Sequence, residues 1–460
     1  MPETADTAER TTGTVEPRHA ERARATVARV LDRLADPTAV AEDTDALAAR
    51  SWAGEGAPLW VDSSLSGGFP GVSLAFSGTT ARGPEHAARA HAYLARAMAV
   101  LAREPFPAGG VFDGPGSVAY ATLIAHDATG GYVSALARLH DHQRRVVRAT
   151  LPRPRTHEPL ASNAEFETVR GLTGIGRYLL ARFEGAGGED APEGGADELR
   201  MVLSYLVGLA DGEVTRRGRG VPRWWTTAAP KIGQEDELPD GHLNLGLSHG
   251  VAGPLALLAL AWSAGVRVPG QRAALESLVA LLTRCAVPAG DALWWPPAYS
   301  LDRWSAGPAL DAKPPRPSWC YGVPGVSRAL QLAALALDRP DWHESTRRSL
   351  TGLLDTPPAD WGVEDSALCH GWGGLLHLLG LLGEHVDDPR LPLVRDELAA
   401  LILDRYHEEY RFGYRSAMTN VPEGADVPSF MEGAAGIALA LDAYAEGRAR
   451  AGWDRVLMVA

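Results

Sequence analysis

Gly250-Val251-Ala252-Gly253-Pro254-Leu255-Ala256-Leu257-Leu258-Ala259-Leu260-Ala261-Trp262 sets a short glycine motif directly before a run that is apolar on every face. A helix of that composition has no side suited to water and is buried nearly all round. The pairing recurs. Further copies read Gly68-Phe69-Pro70-Gly71, Asp113-Gly114-Pro115-Gly116, Gly171-Leu172-Thr173-Gly174, Gly322-Val323-Pro324-Gly325, Gly371-Trp372-Gly373-Gly374 and Gly433-Ala434-Ala435-Gly436, with Asp113 where the others have their first glycine. Apolar runs follow these too, as in Leu375–Leu382 and Ile437–Tyr444.

A second helix type precedes each motif. Glu21–Ala35, Glu85–Arg103, Val133–Thr150, Asp197–Leu209, Gln271–Cys285, Trp342–Leu354 and Leu391–Tyr406 are amphipathic; in the fifth, Ala274, Leu275, Leu278, Val279, Leu281 and Leu282 share a face opposite Arg272 and Glu276. Half-buried and buried helices thus alternate about seven times. Such repetition is the mark of an architecture that grows by adding units. Two concentric rings satisfy it, and the expectation is an all-α protein, an α/α toroid of about seven inner and seven outer helices with essentially no sheet. Glycine at each inner entrance permits a tight turn and close backbone approach; for most copies packing alone explains it.

Two connections, Ala210–Ser248 and Ala286–Trp319, exceed the usual loop length and carry Trp224, Trp225, Trp294 and Trp295. Those indoles either grip a peptide or pack the loops. Residues 1–17 are polar, lack the apolar core of a secretory signal, and read as a disordered tail ahead of one domain over 18–460. No run of 18 apolar residues marks a membrane span. The formal net charge of -13 disfavours phosphate backbones and anionic membranes, so no nucleic-acid partner is expected. Three cysteines in 460 residues cannot build a disulfide framework and fit a reducing cytoplasm.

Two of those cysteines repeat a position. Cys320 in Arg316-Pro317-Ser318-Trp319-Cys320-Tyr321-Gly322, and Cys369 with His370 in Leu368-Cys369-His370-Gly371, stand immediately before glycine motifs of adjacent repeats. If the inner helices run parallel, these entrances converge at one end of the ring. Thiolate and imidazole are natural zinc donors, and two cysteines with one histidine leave a fourth position open, as in catalytic sites. Cys285 has no polar company and reads as a buried, inert thiol.

The strings Asn244-Leu245-Gly246-Leu247-Ser248-His249-Gly250, Trp319-Cys320-Tyr321-Gly322-Val323-Pro324-Gly325, Cys369-His370-Gly371-Trp372-Gly373-Gly374 and Phe430-Met431-Glu432-Gly433-Ala434-Ala435-Gly436 resemble the LanC family, the cyclases of class I lanthipeptides and their LanC-like relatives. The resemblance spans about Ser66 to Leu441. It implies an α/α toroid and one Zn2+ per chain held by Cys320, Cys369 and His370. It implies a catalytic role for His249, functional roles for Arg316 and Tyr321, and a carboxylate at Glu167, where the family usually carries aspartate. The implied reaction adds cysteine thiols of a dehydrated precursor peptide, leader plus core, to dehydroalanine or dehydrobutyrine. The dehydratase and transporter of the same pathway are further implied partners. No large dehydratase or kinase precedes the repeats, so a free-standing, class I type of cyclase is expected. The alternative is a LanC-like zinc protein that binds a thiol compound or a protein partner without cyclising it.

Overall fold

The structure, a computed structural model, describes residues 16–51, 58–103, 109–151, 160–188, 196–227, 238–418 and 421–460. Of the expected tail, residues 1–15 lie outside the described residues. Among the described residues, fourteen helices build the ring. The outer ones are α1 (Ala20–Arg33), α3 (Pro84–Leu101), α5 (Val133–Thr150), α7 (Asp197–Ala210), α9 (Gln271–Cys285), α11 (His343–Leu354) and α13 (Arg390–Asp404). They alternate with the inner α2 (Phe69–Gly78), α4 (Gly114–Thr129), α6 (Leu172–Gly185), α8 (Ala252–Ser263), α10 (Val323–Leu337), α12 (Trp372–Gly383) and α14 (Ala434–Glu446). Each inner helix packs on the next, and α14 returns to α2, closing the circle. The division of labour follows composition: every residue of α2 is buried, whereas α9 buries Ala274, Leu275, Leu278 and Leu282 and leaves Arg272 and Arg284 outside.

The entrances of the inner helices form a backbone belt. Leu65 N–H donates to Phe112 O (2.7 Å), Thr168 to Ser248 O (3.0 Å), Leu247 to Cys320 O (3.0 Å), Cys320 to Cys369 O (3.3 Å), Cys369 to Met431 O (3.0 Å) and Met431 to Ser66 O (3.1 Å). The remaining joint is a close approach, since a Cβ on Gly110 would fall 2.2 Å from Val169 O. All seven inner helices therefore start at one end and run parallel. The last glycine of each motif makes this possible. A Cβ on Gly374 would lie 2.0 Å from Leu368 O and one on Gly325 2.2 Å from Trp319 O, the carbonyl six residues back in each case. Packing is thus the reason for these glycines.

The all-α ring is the one expected, and the connections add only short ribbons. Among the described residues, four antiparallel two-stranded ribbons occupy the connections: β1 (Glu213–Arg216) with β2 (Arg219–Pro222), β3 (His242–Asn244) with β6 (Ala298–Ser300), β4 (Val287–Ala289) with β5 (Ala292–Trp294), and β7 (Ser416–Met418) with β8 (Val421–Ala425). The β3–β6 pair ties the two long connections to each other. The tryptophan pairs singled out in those connections are packing residues: Trp224, Trp225, Trp294 and Trp295 are 2%, 0%, 5% and 0% exposed. Trp225 Nε1 donates to Asp240 O (2.9 Å) and Trp295 Nε1 to Leu282 O (2.8 Å).

Residues Trp453–Val459 fill the axis. Trp319 Nε1 donates to Leu457 O (2.8 Å), Arg328 Nε to Val459 O (2.8 Å) and Arg177 Nη2 to Ala460 O (2.7 Å). Beyond this plug, a cavity of about 1000 Å³ opens among the C-terminal ends of inner helices, lined by Asp127, Glu184, Glu384, Arg395 and Arg455 among others. It contains neither Cys320, Cys369 nor His249. No described helix is long and apolar enough to cross a membrane.

Candidate metal centre

The belt fixes both cysteines through their backbones. Cys320 N–H donates to Cys369 O and its carbonyl accepts from Leu247 N–H, while Cys369 N–H donates to Met431 O. Their thiols hydrogen-bond to each other. That bond holds the Cys320 thiol down to about 6, helped by the Ser318 hydroxyl (3.4 Å) and the charges of His249 and Arg316. The same bond, with burial and Glu432 beside it, raises the Cys369 thiol well above the ordinary thiol range. Cys285 is buried, unpaired and pushed up to about 12 by desolvation, the inert thiol its surroundings in the sequence suggested.

Beside the thiols, His370 Nε2 stands 3.4 Å from Glu432 Oε2 and 4.0 Å from Asp365 Oδ2. Cys369, His370 and Glu432 form the one trio among the described residues whose donor atoms all lie within 4.8 Å of one another. Cys320 lies outside that mutual distance and meets the trio through its thiol bond to Cys369. Two thiols, an imidazole and a carboxylate are a donor set suited to zinc, so these residues fit the ion expected from the sequence. Burial pushes the Glu432 carboxyl up to about 7, against the opposing pull of His370.

Glu432 and Asp365 were not among the expected site residues. An acid at a helix entrance reads as an ordinary partner of the helix dipole. The usable signal was register: Glu432 precedes the first glycine of its motif, the place His249 and His370 hold in theirs.

His249 stands on the neighbouring repeat, two residues past the joint where Leu247 N–H donates to Cys320 O. Its Nδ1 pairs with Glu167 Oε2, whose other oxygen accepts from Arg170 N and from Gly171 N (2.9 Å). Glu167 is 1% exposed at its side chain and His249 39%, so a buried anion holds a reachable imidazole. With the carboxylate accepting from Nδ1–H, Nε2 is the nitrogen left to exchange a proton. The Tyr321 ring lies 6.5 Å from the His249 ring, and its hydroxyl accepts from Asn244 Nδ2 (3.1 Å). Burial pushes that phenol up to about 12. A Cβ on Gly246 would lie 2.7 Å from the Tyr321 ring, so glycine lets the His249 loop rest on Tyr321. Arg316 is exposed and makes its influence felt at Cys320 through charge. The structure therefore brings Cys320, Cys369, His370, His249, Glu167, Tyr321 and Arg316 to one end of the ring, where the inner-helix N-termini add positive potential.

Comparison with known proteins shows the family and the fold. A family model described as lanthionine synthetase C-like protein matches residues 59–458. The nisin biosynthesis protein NisC of Lactococcus lactis subsp. lactis is 24% identical over 257 residues, 54% of this chain and 57% of that protein. The matched part thus spans little more than half of that relative's length. A solved structure of nisin cyclase superposes with a TM-score of 0.70 at 20% sequence identity, covering 92% of this chain and 97% of that one.

Proposed function

The chain belongs to the lanthionine synthetase C-like family, and on that premise we propose that it is a zinc-dependent lanthipeptide cyclase that closes thioether rings in a dehydrated precursor peptide. The observation that carries the reading is the convergence, on one belt, of a thiol–imidazole–carboxylate cluster with an imidazole held by a buried carboxylate. Cys320, Cys369 and His370 would hold the ion. Zinc supplies Lewis acidity that ionises a thiol, which on its own is only a few per cent thiolate at neutral pH.

The residues of the chain supply the rest. The peptide sulfur forms its bond to the β-carbon of dehydroalanine or dehydrobutyrine, and the C=C electron pair moves to the α-carbon and its carbonyl as an enolate. Arg316 offers its cation to that enolate oxygen. His249 Nε2 receives the thiol proton and returns one to the α-carbon, so protons balance and no redox partner is needed. Glu167 keeps His249 in the required tautomer, and Tyr321 braces the ring from the other side. The three free thiols suit a reducing compartment, which we take to be the cytoplasm, and residues 18–460 act as one domain.

Replacing His249 with alanine tests proton handling apart from metal binding. His249→Ala is expected to keep zinc and to lose about 100- to 10,000-fold in ring-forming rate, whereas Cys369→Ala loses both. Elemental analysis reads the metal. The rate is read on a dehydrated precursor at early times, with a thiol-alkylating quench and mass spectrometry. A His249→Ala protein that cyclises at the wild-type rate removes the acid–base assignment.

A further inference from the structure

We propose that Asn244 is a positioning residue that fixes Tyr321 as a hydrogen-bond donor, its phenol O–H reserved for the acyl oxygen of the dehydrated residue under attack. The inference rests on the cyclase reading above and gives Tyr321 a chemical part beyond bracing His249. Asn244 ends β3 and is 2% exposed. It stands six places before the first glycine of its motif, as Asp62, Asp365 and Val427 do in theirs. In all four copies the backbone carbonyl at that place accepts from the residue just after the glycine: Val251 N (3.0 Å), Phe69 N (3.3 Å), Trp372 N (3.0 Å) and Ala434 N (2.9 Å). Valine serves in the last copy, so this loop bond needs no particular side chain.

Capping does not require an amide either. Asn244 Oδ1 accepts from Gly246 N (3.0 Å), and Asp365 Oδ1 accepts from Ala367 N (3.1 Å) in the same way. What sets the amide apart is its second atom. Gly246 N–H can only donate, so the atom meeting it is the oxygen and the atom facing Tyr321 is the nitrogen. Nδ2 in turn can only donate, so the phenol oxygen accepts from it (3.1 Å). A carboxylate at this place would cap the loop and draw the phenol proton to itself. With the amide, that proton has no acceptor among the described residues. The phenol is half-buried, next in sequence to Cys320 and 6.5 Å from the His249 ring, and a phenol is protonated at neutral pH. Its O–H is left for a group brought in from outside. When the peptide sulfur adds to the C=C bond, the neighbouring acyl oxygen gains negative charge, and a donor oriented beforehand stabilises that charge without reorganising. The Tyr321 O–H and the Arg316 cation serve the same oxygen. Tyr321 keeps its proton throughout, and protonation of the α-carbon stays with His249.

The test uses the full chain loaded with Zn2+, as wild type, Asn244→Asp, Tyr321→Phe and the double variant. Asn244→Asp is isosteric and keeps an oxygen for Gly246 N, as Asp365 does for Ala367 N. Infrared difference spectra, wild type minus Tyr321→Phe and Asn244→Asp minus the double variant, isolate the C–O stretch of Tyr321, which reports whether the phenol accepts or donates. An accepting phenol is expected in wild type and a purely donating one in Asn244→Asp. On a dehydrated precursor, Asn244→Asp and Tyr321→Phe should each lose about tenfold in kcat, the worth of one hydrogen bond, with zinc content unchanged. The double variant should lose no more than either single one. A wild-type phenol that does not accept overturns the inference. So does an Asn244→Asp protein that cyclises at the wild-type rate with its phenol reversed. An aspartate that costs as much in the Tyr321→Phe background as in wild type acts through its charge or the loop, and overturns it too. Should Asn244→Asp not fold, Tyr321→Phe decides alone, and a wild-type kcat there sinks the donor role. If wild type itself does not exceed the uncatalysed rate, the cyclase reading fails and the donor role goes with it, whatever the infrared spectrum shows.

Discussion

Glu167→Gln changes one atom of the proposed site in a way the structure makes interpretable. The Glu167 carboxylate has two duties: Oε1 accepts from Arg170 N and Gly171 N, and Oε2 accepts from His249 Nδ1. A glutamine keeps Oε1 for the loop, so the entrance of α6 stays capped. Its amide nitrogen then faces His249 Nδ1, which must become an acceptor, and the ring proton moves to Nε2. The nitrogen left to take a thiol proton is then already protonated. An inverted tautomer of this kind costs an Asp–His pair in serine proteases about 10,000-fold, and general acid–base assistance spans about 100- to 10,000-fold. We expect a loss within that range at unchanged zinc content. Weakening charge-assisted bonds to a buried acceptor should cost about 1–3 kcal/mol of stability, a shift visible in urea denaturation without unfolding the protein. Glu167→Asp retains an acceptor and should stay well above the Gln variant. The assay is thioether formation on a dehydrated precursor peptide at early times. If Glu167→Gln cyclises as fast as wild type with its zinc in place, the carboxylate is only a loop cap and His249 does not depend on its tautomer.

Three further expectations follow from packing and burial. His242 is 0% exposed, neither ring nitrogen has a hydrogen-bond partner among the described residues, and burial lowers its pKa from 6.5 to about 4. The unfolded chain then takes up a proton that the folded one refuses, so stability should fall by about 3 kcal/mol as pH drops from about 6.5 to about 4; Leu at 242 should flatten that part of the urea-midpoint profile. Gly374→Ala should cost about 3 kcal/mol through its clash with Leu368 O, whereas Gly208→Ala, with nothing within 4 Å in helix α7, should gain about 0.5–1 kcal/mol; thermal denaturation of the pair compares them. Trp225→Ala should cost about 3–5 kcal/mol of stability and leave the KM of the surviving folded protein near wild type, and a selective rise in KM would restore the peptide-grip reading of the long connections.

The ring was legible because its signal is periodic and local. The outer helix expected over Gln271–Cys285 is found there, and Val133–Thr150 likewise, since each depends on a spacing visible within a few turns. The ribbons were not, because β3 of one long connection pairs with β6 of the other, and three-residue strands carry no period of their own. Nor could composition decide the tryptophans. Their burial follows from distant carbonyls, Asp240 O and Leu282 O, that meet the indole N–H groups only once the loops have folded. Cys320, Cys369 and His370 stood out by residue type at a repeated position. Glu432 shares that position but has a commonplace side chain for a helix entrance.

Position within the repeat explains why so few residues make the site. The residue just before the first motif position is Gly67, Phe112, Arg170, His249, Tyr321, His370 and Glu432 in successive copies, with Cys320 and Cys369 one place earlier in theirs. The belt sets these places at one level before any side chain is chosen, and the groups of the proposed centre fill the consecutive copies from His249 to Glu432. A second recurring place, four residues before the first glycine, caps the same loops. There the Ser64 hydroxyl accepts from Ser66 N (3.1 Å), Ser318 from Tyr321 N (3.0 Å) and Ser429 from Glu432 N (3.2 Å). Glu167 holds this place in the third copy and caps Arg170 N and Gly171 N with one oxygen. A serine there would hold the loop equally well and end at it. The longer carboxylate has a second oxygen left over, and the belt has put His249 within its reach.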